Sequence, residues 1–240
     1  MTLKLGYFSL MVLMSFILFF FGWHAILRST EDRCAVVKRT TLLLFGLIGW
    51  QVYIYLTSLT GAYKNMSFPP PFFYMLIIPA FLFTGIFMFI NKDKAWIEQI
   101  PESWLIYYQA FRVLVESLFV YSIAKNIVHE NMTIAGYNYD MVFGASAIVV
   151  GLLVFQFKAV PKKFVLAWNY LGLCVIAVII FIVNSTIYLP ELYGADMAPW
   201  PADFGLYPYI VVAGFLMPSA VFVHVLSIVQ LRRRLKTKKK

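Results

Sequence analysis

Apolar and polar positions follow one another along this chain in long blocks. Seven apolar stretches run about Leu5–Leu27, Thr41–Ala62, Phe72–Ile90, Trp104–Ala124, Thr133–Phe157, Phe164–Leu189 and Tyr207–Leu231. Each is near the roughly 20 residues that carry an α-helix through bilayer hydrocarbon. The short-period alternation of a membrane barrel is absent. The pattern predicts an all-α integral membrane bundle of seven helices over residues 1–231, followed by a basic tail over residues 232–240. The first stretch is too long for a signal-peptide core, and no small-residue cleavage site follows it, so it is read as a retained helix. Pro69-Pro70-Pro71 and Pro199-Trp200-Pro201 punctuate loops, whereas Pro79 and Pro218 fall inside helices three and seven and predict kinks. The internal repeat found in many transporters is not visible.

Composition agrees. Apolar residues make up 62% of the 240 residues and charged residues 13%. An average soluble protein has about 45–50% and about 25%, so a soluble domain of this size could not cover its surface. Cys34 and Cys174 fall in a charged loop and in an apolar helix, which offers no disulfide and no zinc site.

The net charge of +9 is distributed by side. Arg28, Arg33, Lys38, Arg39, Lys92, Lys94, Lys158, Lys162, Lys163 and the seven basic residues after Leu231 make sixteen in alternate loops and the tail. The other side holds three, Lys4, Lys64 and Lys125. Cytoplasmic enrichment of Lys and Arg then places the N-terminus outside and the C-terminus in the cytoplasm. The tail is expected to meet anionic lipid headgroups; without an aromatic-interleaved basic face, nucleic acid is not an expected partner.

Ionisable residues inside a bilayer are functional candidates because they are expensive to keep there. Gln109, Arg112 and Glu116 share one face of helix four. Arg112 has two candidate partners: Glu116, one turn away, and Asp140 at the start of helix five. It can also snorkel to the inner headgroups. Asp140 lies below the outer surface if helix five starts near Thr133, and is a solvated N-cap if it starts at Met141. Gly144, Ala147 and Gly151 make a small face for close helix approach. His224 on helix seven and Asn169 on helix six complete the candidate ligand-binding set, either as site residues or as interhelical hydrogen-bonding groups.

No cofactor and no metal are expected. His24 and His224 lie at different depths, which does not suit a bis-His haem. Helix seven has no Lys for a retinal Schiff base, and hydrolase and phosphate-loop motifs are missing. The loop from Pro190 to Gly205 carries Glu191, Asp196 and Asp203 with no Lys or Arg; it reads as a lid, a cation-attracting mouth or an interfacial loop. Asn65-Met66-Ser67 and Asn131-Met132-Thr133 match the N-glycosylation pattern on the outer side.

Three stretches together resemble a family of small, uncharacterised polytopic inner-membrane proteins of bacteria. They are Pro101-Glu-Ser-Trp-Leu105 with Gln109, Phe111 and Arg112; Ala135-Gly136 with Asp140, Gly144 and Ala147; and Trp168-Asn169 with Gly172-Leu173, followed by Pro218 and His224. They span helices four to seven. The chain departs from that family's pattern at Tyr139 and near Val175, where members carry a Gly and an acidic residue. The resemblance implies the cytoplasmic membrane of a bacterium and no particular activity. The expected function is to bind, sense or transport a small ligand or ion at a polar intramembrane site. The alternative is a lipid-modifying enzyme or an accessory subunit of a membrane complex.

Overall fold

A computed structural model describes residues 3–194 and 197–237. Among them the chain is helical, with no strand. The α-helices are α1 (Leu3–Ser29), α2 (Arg33–Leu59), α3 (Ile78–Asn91), α4 (Glu102–Tyr108), α5 (Phe111–Ile123), α6 (Asp140–Gly151), α7 (Lys162–Tyr188) and α8 (Met217–Thr237). A π-helical turn leads into α3 at Phe73–Ile77, follows α6 at Leu152–Gln156 and leads into α8 at Val212–Leu216. Five rods are long and apolar enough to cross a membrane: Leu3–Ser29, Arg33–Leu59, Phe73–Asn91, Lys162–Tyr188 and Val212–Lys236.

The other two expected helices differ from their apolar stretches. The fourth breaks between α4 and α5, where amides at Gln109, Ala110, Arg112 and Val113 bond back three residues in tight turns. The fifth starts seven residues later than Thr133, at Asp140, because residues 130–139 are taken up by a short 3₁₀ turn and a loop. Asp140 is therefore neither deep in a helix nor a cap; it is the first helical residue, and its backbone N–H is bound by Asn138 Oδ1 at 2.9 Å. At the first loop, Asp32 caps α2 by accepting from the Cys34 and Ala35 amides. Arg33, Lys38 and Arg39 thus lie on α2, not in the loop. The basic tail likewise begins as the last turns of α8.

Helix α8 is the most enclosed of the five long rods and α2 the least. α8 packs on α7, α3 and α4; α6 packs on α4, α5 and α7; α1 packs on α2 and α5. The expected small-residue face of α6 is the surface laid on α4 and α5. A Cβ on Gly144 would come within 2.8 Å of Arg112 Cβ, and one on Gly151 would enter the Tyr107 ring.

The two helical prolines explain how the exposed α2 is anchored. Proline has no N–H, so the carbonyl four residues before it loses its helical donor. For Pro218 that carbonyl belongs to Gly214, and the Trp50 indole N–H donates to it at 2.8 Å. For Pro79 it belongs to Met75, and the Tyr53 hydroxyl donates to it at 3.2 Å. Trp50 and Tyr53 stack on each other, ring centroids 5.2 Å apart. Two side chains of α2 thereby tie it to both proline-containing rods.

Each end of the bundle is fastened differently. At the basic end, buried Glu102 pairs with Lys162 and with Arg234, both at 2.6 Å. Gln230 donates to the carbonyls of Ile97 and Ile100. At the opposite end the loop after α7 folds over the bundle. Its Trp200 is stacked on His129, Asp203 pairs with Lys64 at 2.9 Å, and Gly205 lies so close to the Tyr63 backbone that no side chain fits. Asn131 is buried there and donates to Thr186 Oγ1 at 3.1 Å, so in this fold it is not a free glycosylation acceptor. Asp196 lies outside the described residues.

Candidate ligand-binding site

Arg112 sits on the first turn of α5, beside the break, and is 2% exposed. Its Nη1 donates to Asp140 Oδ1 at 2.7 Å and its Nη2 meets His224 Nε2 at 2.9 Å. A guanidinium can only donate, so His224 Nε2 must accept. The ring proton then resides on Nδ1, which donates to Asn169 Oδ1 at 2.8 Å. With its oxygen engaged, the Asn169 amide nitrogen donates to Val165 O and to Ser227 Oγ, at 2.8 and 3.0 Å. Donation thus runs outward from Arg112, one way to Asp140 and the other through His224 and Asn169 to Ser227, linking α6, α5, α8 and α7. His224 is held neutral, since a proton on Nε2 would face the guanidinium.

Aromatic rings close the chain from one side. The guanidinium lies 5.0 Å from the Phe143 ring centre, a cation–π distance. Phe143 stacks on Trp168 at 4.5 Å, and the Trp168 indole donates to Ser146 Oγ at 2.9 Å. Gly172 lets α7 approach, because any Cβ there would collide with the His224 ring and with Phe143.

Four of the six candidate residues, Arg112, Asp140, Asn169 and His224, therefore form one hydrogen-bonded unit. Glu116 does not pair with Arg112. Its Oε1 accepts the Ile134 backbone N–H at 2.7 Å, while its Oε2 receives no hydrogen bond from a described residue. Gln109 faces α8, donating to the Ala220 carbonyl at 3.2 Å, and its Oε1 is buried without a partner. Snorkelling by Arg112 is overturned by its burial and its two partners.

A cleft with about 70 Å³ of enclosed space meets this unit. Its walls are apolar: Phe111, Val115 and Phe119 of α5, Ile176, Ile179, Ile180 and Val183 of α7, and Leu216 and Ala220 of the α8 rod. Phe72, Met132 and Phe204, all buried, roof it at the capped end. Phe73, Ile179, Ile180 and Val183 line it yet stay half-exposed, so it opens sideways between the turn before α3 and α7. Its polar end is formed by Arg112, Glu116, Asn138 and Asp140, with Asn184 on the α7 wall. Gln109, Asn169 and His224 do not line it. No protein-family model, curated protein or solved structure matches this chain. The chemistry of the site rests on its own geometry.

That geometry combines a long apolar wall with one fixed cation and two carboxylates. Among the described residues no group of three or more His, Cys, Asp and Glu is arranged to hold a metal ion. Asn138 was not among the residues singled out by sequence, although it positions Asp140 and lines the cleft. An Asn whose side chain accepts the amide two residues on is a recognisable turn signal, and here it fixes the chain just ahead of α6. Ser227, which terminates the hydrogen-bond chain, had no sequence signal beyond being a polar residue in an apolar run.

Proposed function

We propose that this chain is a multi-pass protein of a bacterial cytoplasmic membrane that binds a small ligand in the cleft beside Arg112, as a receptor or a carrier. The five long apolar rods, the sixteen-to-three charge asymmetry and the family resemblance support the membrane and its sidedness, N-terminus outside and C-terminus in the cytoplasm. The observation that carries the binding role is Glu116, a side chain 4% exposed that lines a cavity with one carboxylate oxygen unbound. That oxygen is presented to the cavity, where a bound ligand can supply it with a donor. The Arg112–Asp140 ion pair beside it matches one charge with the other and serves as a fixed electrostatic wall.

The test is native mass spectrometry of protein extracted gently from its own membrane, compared with Ile180→Trp, which fills the cleft wall. The wild type is expected to retain a bound species that the variant lacks. Identical spectra for the two folded proteins overturn the binding role.

A further inference from the structure

Resting on the reading of the cleft as a binding site, we propose that its ligand is an amphipathic primary amine: an ammonium group on a long apolar chain, which enters from the bilayer. Three features of the site select that chemistry.

The first is charge. Arg112, Asp140 and Glu116 are the charged groups at the polar end. Arg112 is matched by Asp140 at 2.7 Å, and its other nitrogen is directed away to His224. His224 is neutral by its hydrogen bonding. What faces the cavity uncompensated is the Glu116 carboxylate. A buried anion is strongly stabilised by an opposite charge that also donates a hydrogen bond, and a primary ammonium does both. An anionic head would meet two carboxylates with the only guanidinium already engaged.

The second is the wall. From Glu116 the cleft runs along α5 and α7 past Phe119, Ile176, Ile180 and Val183, with no further charge lining it. Polar solutes gain nothing from such a surface, whereas the part of a hydrocarbon chain nearest the head gains from each apolar contact with it.

The third is the route. The loop after α7 closes the water-facing end with Phe204, and its Trp200–His129 stack and Lys64–Asp203 pair hold it down. The side between α3 and α7 is open, and its half-exposed residues are apolar, Phe73, Ile179, Ile180 and Val183. Such a mouth admits a molecule already dissolved in lipid.

The same head chemistry can come from a membrane aminophospholipid or from a free single-chain amine. The full chain in phosphatidylcholine nanodiscs, a lipid with no ammonium N–H, is titrated with dodecylamine, dodecanol, dodecanoate and propylamine. Retention is read by native mass spectrometry. Dodecylamine is expected to saturate at one per chain at concentrations where dodecanoate and propylamine do not bind. Glu116→Gln is expected to weaken dodecylamine by about tenfold or more, the loss of one charge-assisted hydrogen bond, and to leave dodecanol unchanged. A melting temperature close to the wild type shows that this variant is folded. Should it not fold, Ile180→Trp, which abolishes every chain-bearing probe, takes its place. Competition by phosphatidylethanolamine added to the nanodisc identifies the bilayer as the source, and its absence identifies a free amine; the proposal stands in both cases. Equal retention of dodecylamine, dodecanol and dodecanoate overturns the amine while leaving the cleft a binding site. Failure of every chain-bearing probe to bind overturns the binding site itself.

Discussion

Arg112 shows how a single buried charge organises its surroundings. A lone buried charge is penalised by several kcal/mol, and Arg112 is almost fully enclosed. Here the charge is matched by Asp140, its second nitrogen fixes the tautomer of His224, and Phe143 covers its face. Removing one member strands the other. Arg112→Ala is therefore expected to destabilise the protein by about 3–5 kcal/mol, the usual loss when one partner of a buried pair is deleted. Asp140→Asn in the same background should recover part of that loss, because no uncompensated carboxylate remains. Thermal unfolding of both single variants and the double in detergent measures the coupling. Strictly additive losses would contradict the 2.7 Å pair. Glu116 belongs to no such unit, so Glu116→Gln should leave stability within about 1 kcal/mol of the wild type, the scale of one ordinary hydrogen bond.

At the scale of elements, the break between α4 and α5 and the two proline rods decide how the helices meet. Nothing in the residues around Gln109–Ala110 predicts a break: there is no Gly or Pro there, and the apolar pattern runs straight through. The turn sits where Gly144 brings α6 against the Gln109 carbonyl and Arg112 Cβ, a contact that only the packed bundle creates. Pro79 and Pro218 are different, since proline announces a disrupted ladder wherever it stands in a helix. What they cannot announce is the donor that repairs it. Trp50→Phe keeps the aromatic stack with Tyr53 and deletes the indole donor to the Gly214 carbonyl. The expected loss is about 1–3 kcal/mol, the range for stranding a buried acceptor. Because α2 has few buried side chains, that loss should appear as local opening, with faster proteolysis in the loop between α1 and α2. Unchanged melting and proteolysis would show that the stack alone holds α2.

For the whole molecule, the sided distribution of Lys and Arg is the quantity to test. A reporter active only in the cytoplasm should work when fused after Lys240 and fail when fused after Tyr193. The reverse pattern would invert the proposed orientation. The same asymmetry has a structural counterpart: the basic end is fastened by buried Glu102 with Lys162 and Arg234, whereas the capped end combines the exposed Lys64–Asp203 pair with Trp200, Phe204 and Asn131. Ion pairs at a positively charged end also reduce its self-repulsion.

The sequence alone determined the helical class, the apolar segments and the side on which charge collects, because these follow from local composition against the thickness of a bilayer. It also pointed to the polar residues worth following, since an ionisable group in an apolar run is rare enough to notice. Only the tertiary structure decided that Arg112 pairs with Asp140 and not with Glu116. The i, i+4 spacing on one helix allows the local pair, but the start of α6 brings Asp140 to the guanidinium and leaves Glu116 to the Ile134 amide. Asn169 and His224 were visible as residues, yet their place in one chain of donors depends on α7 and α8 meeting at Gly172. The cleft is likewise a product of assembly. Its walls come from segments more than a hundred residues apart, from Phe72 to Ala220, and no local pattern records which apolar faces meet each other and which leave a space between them.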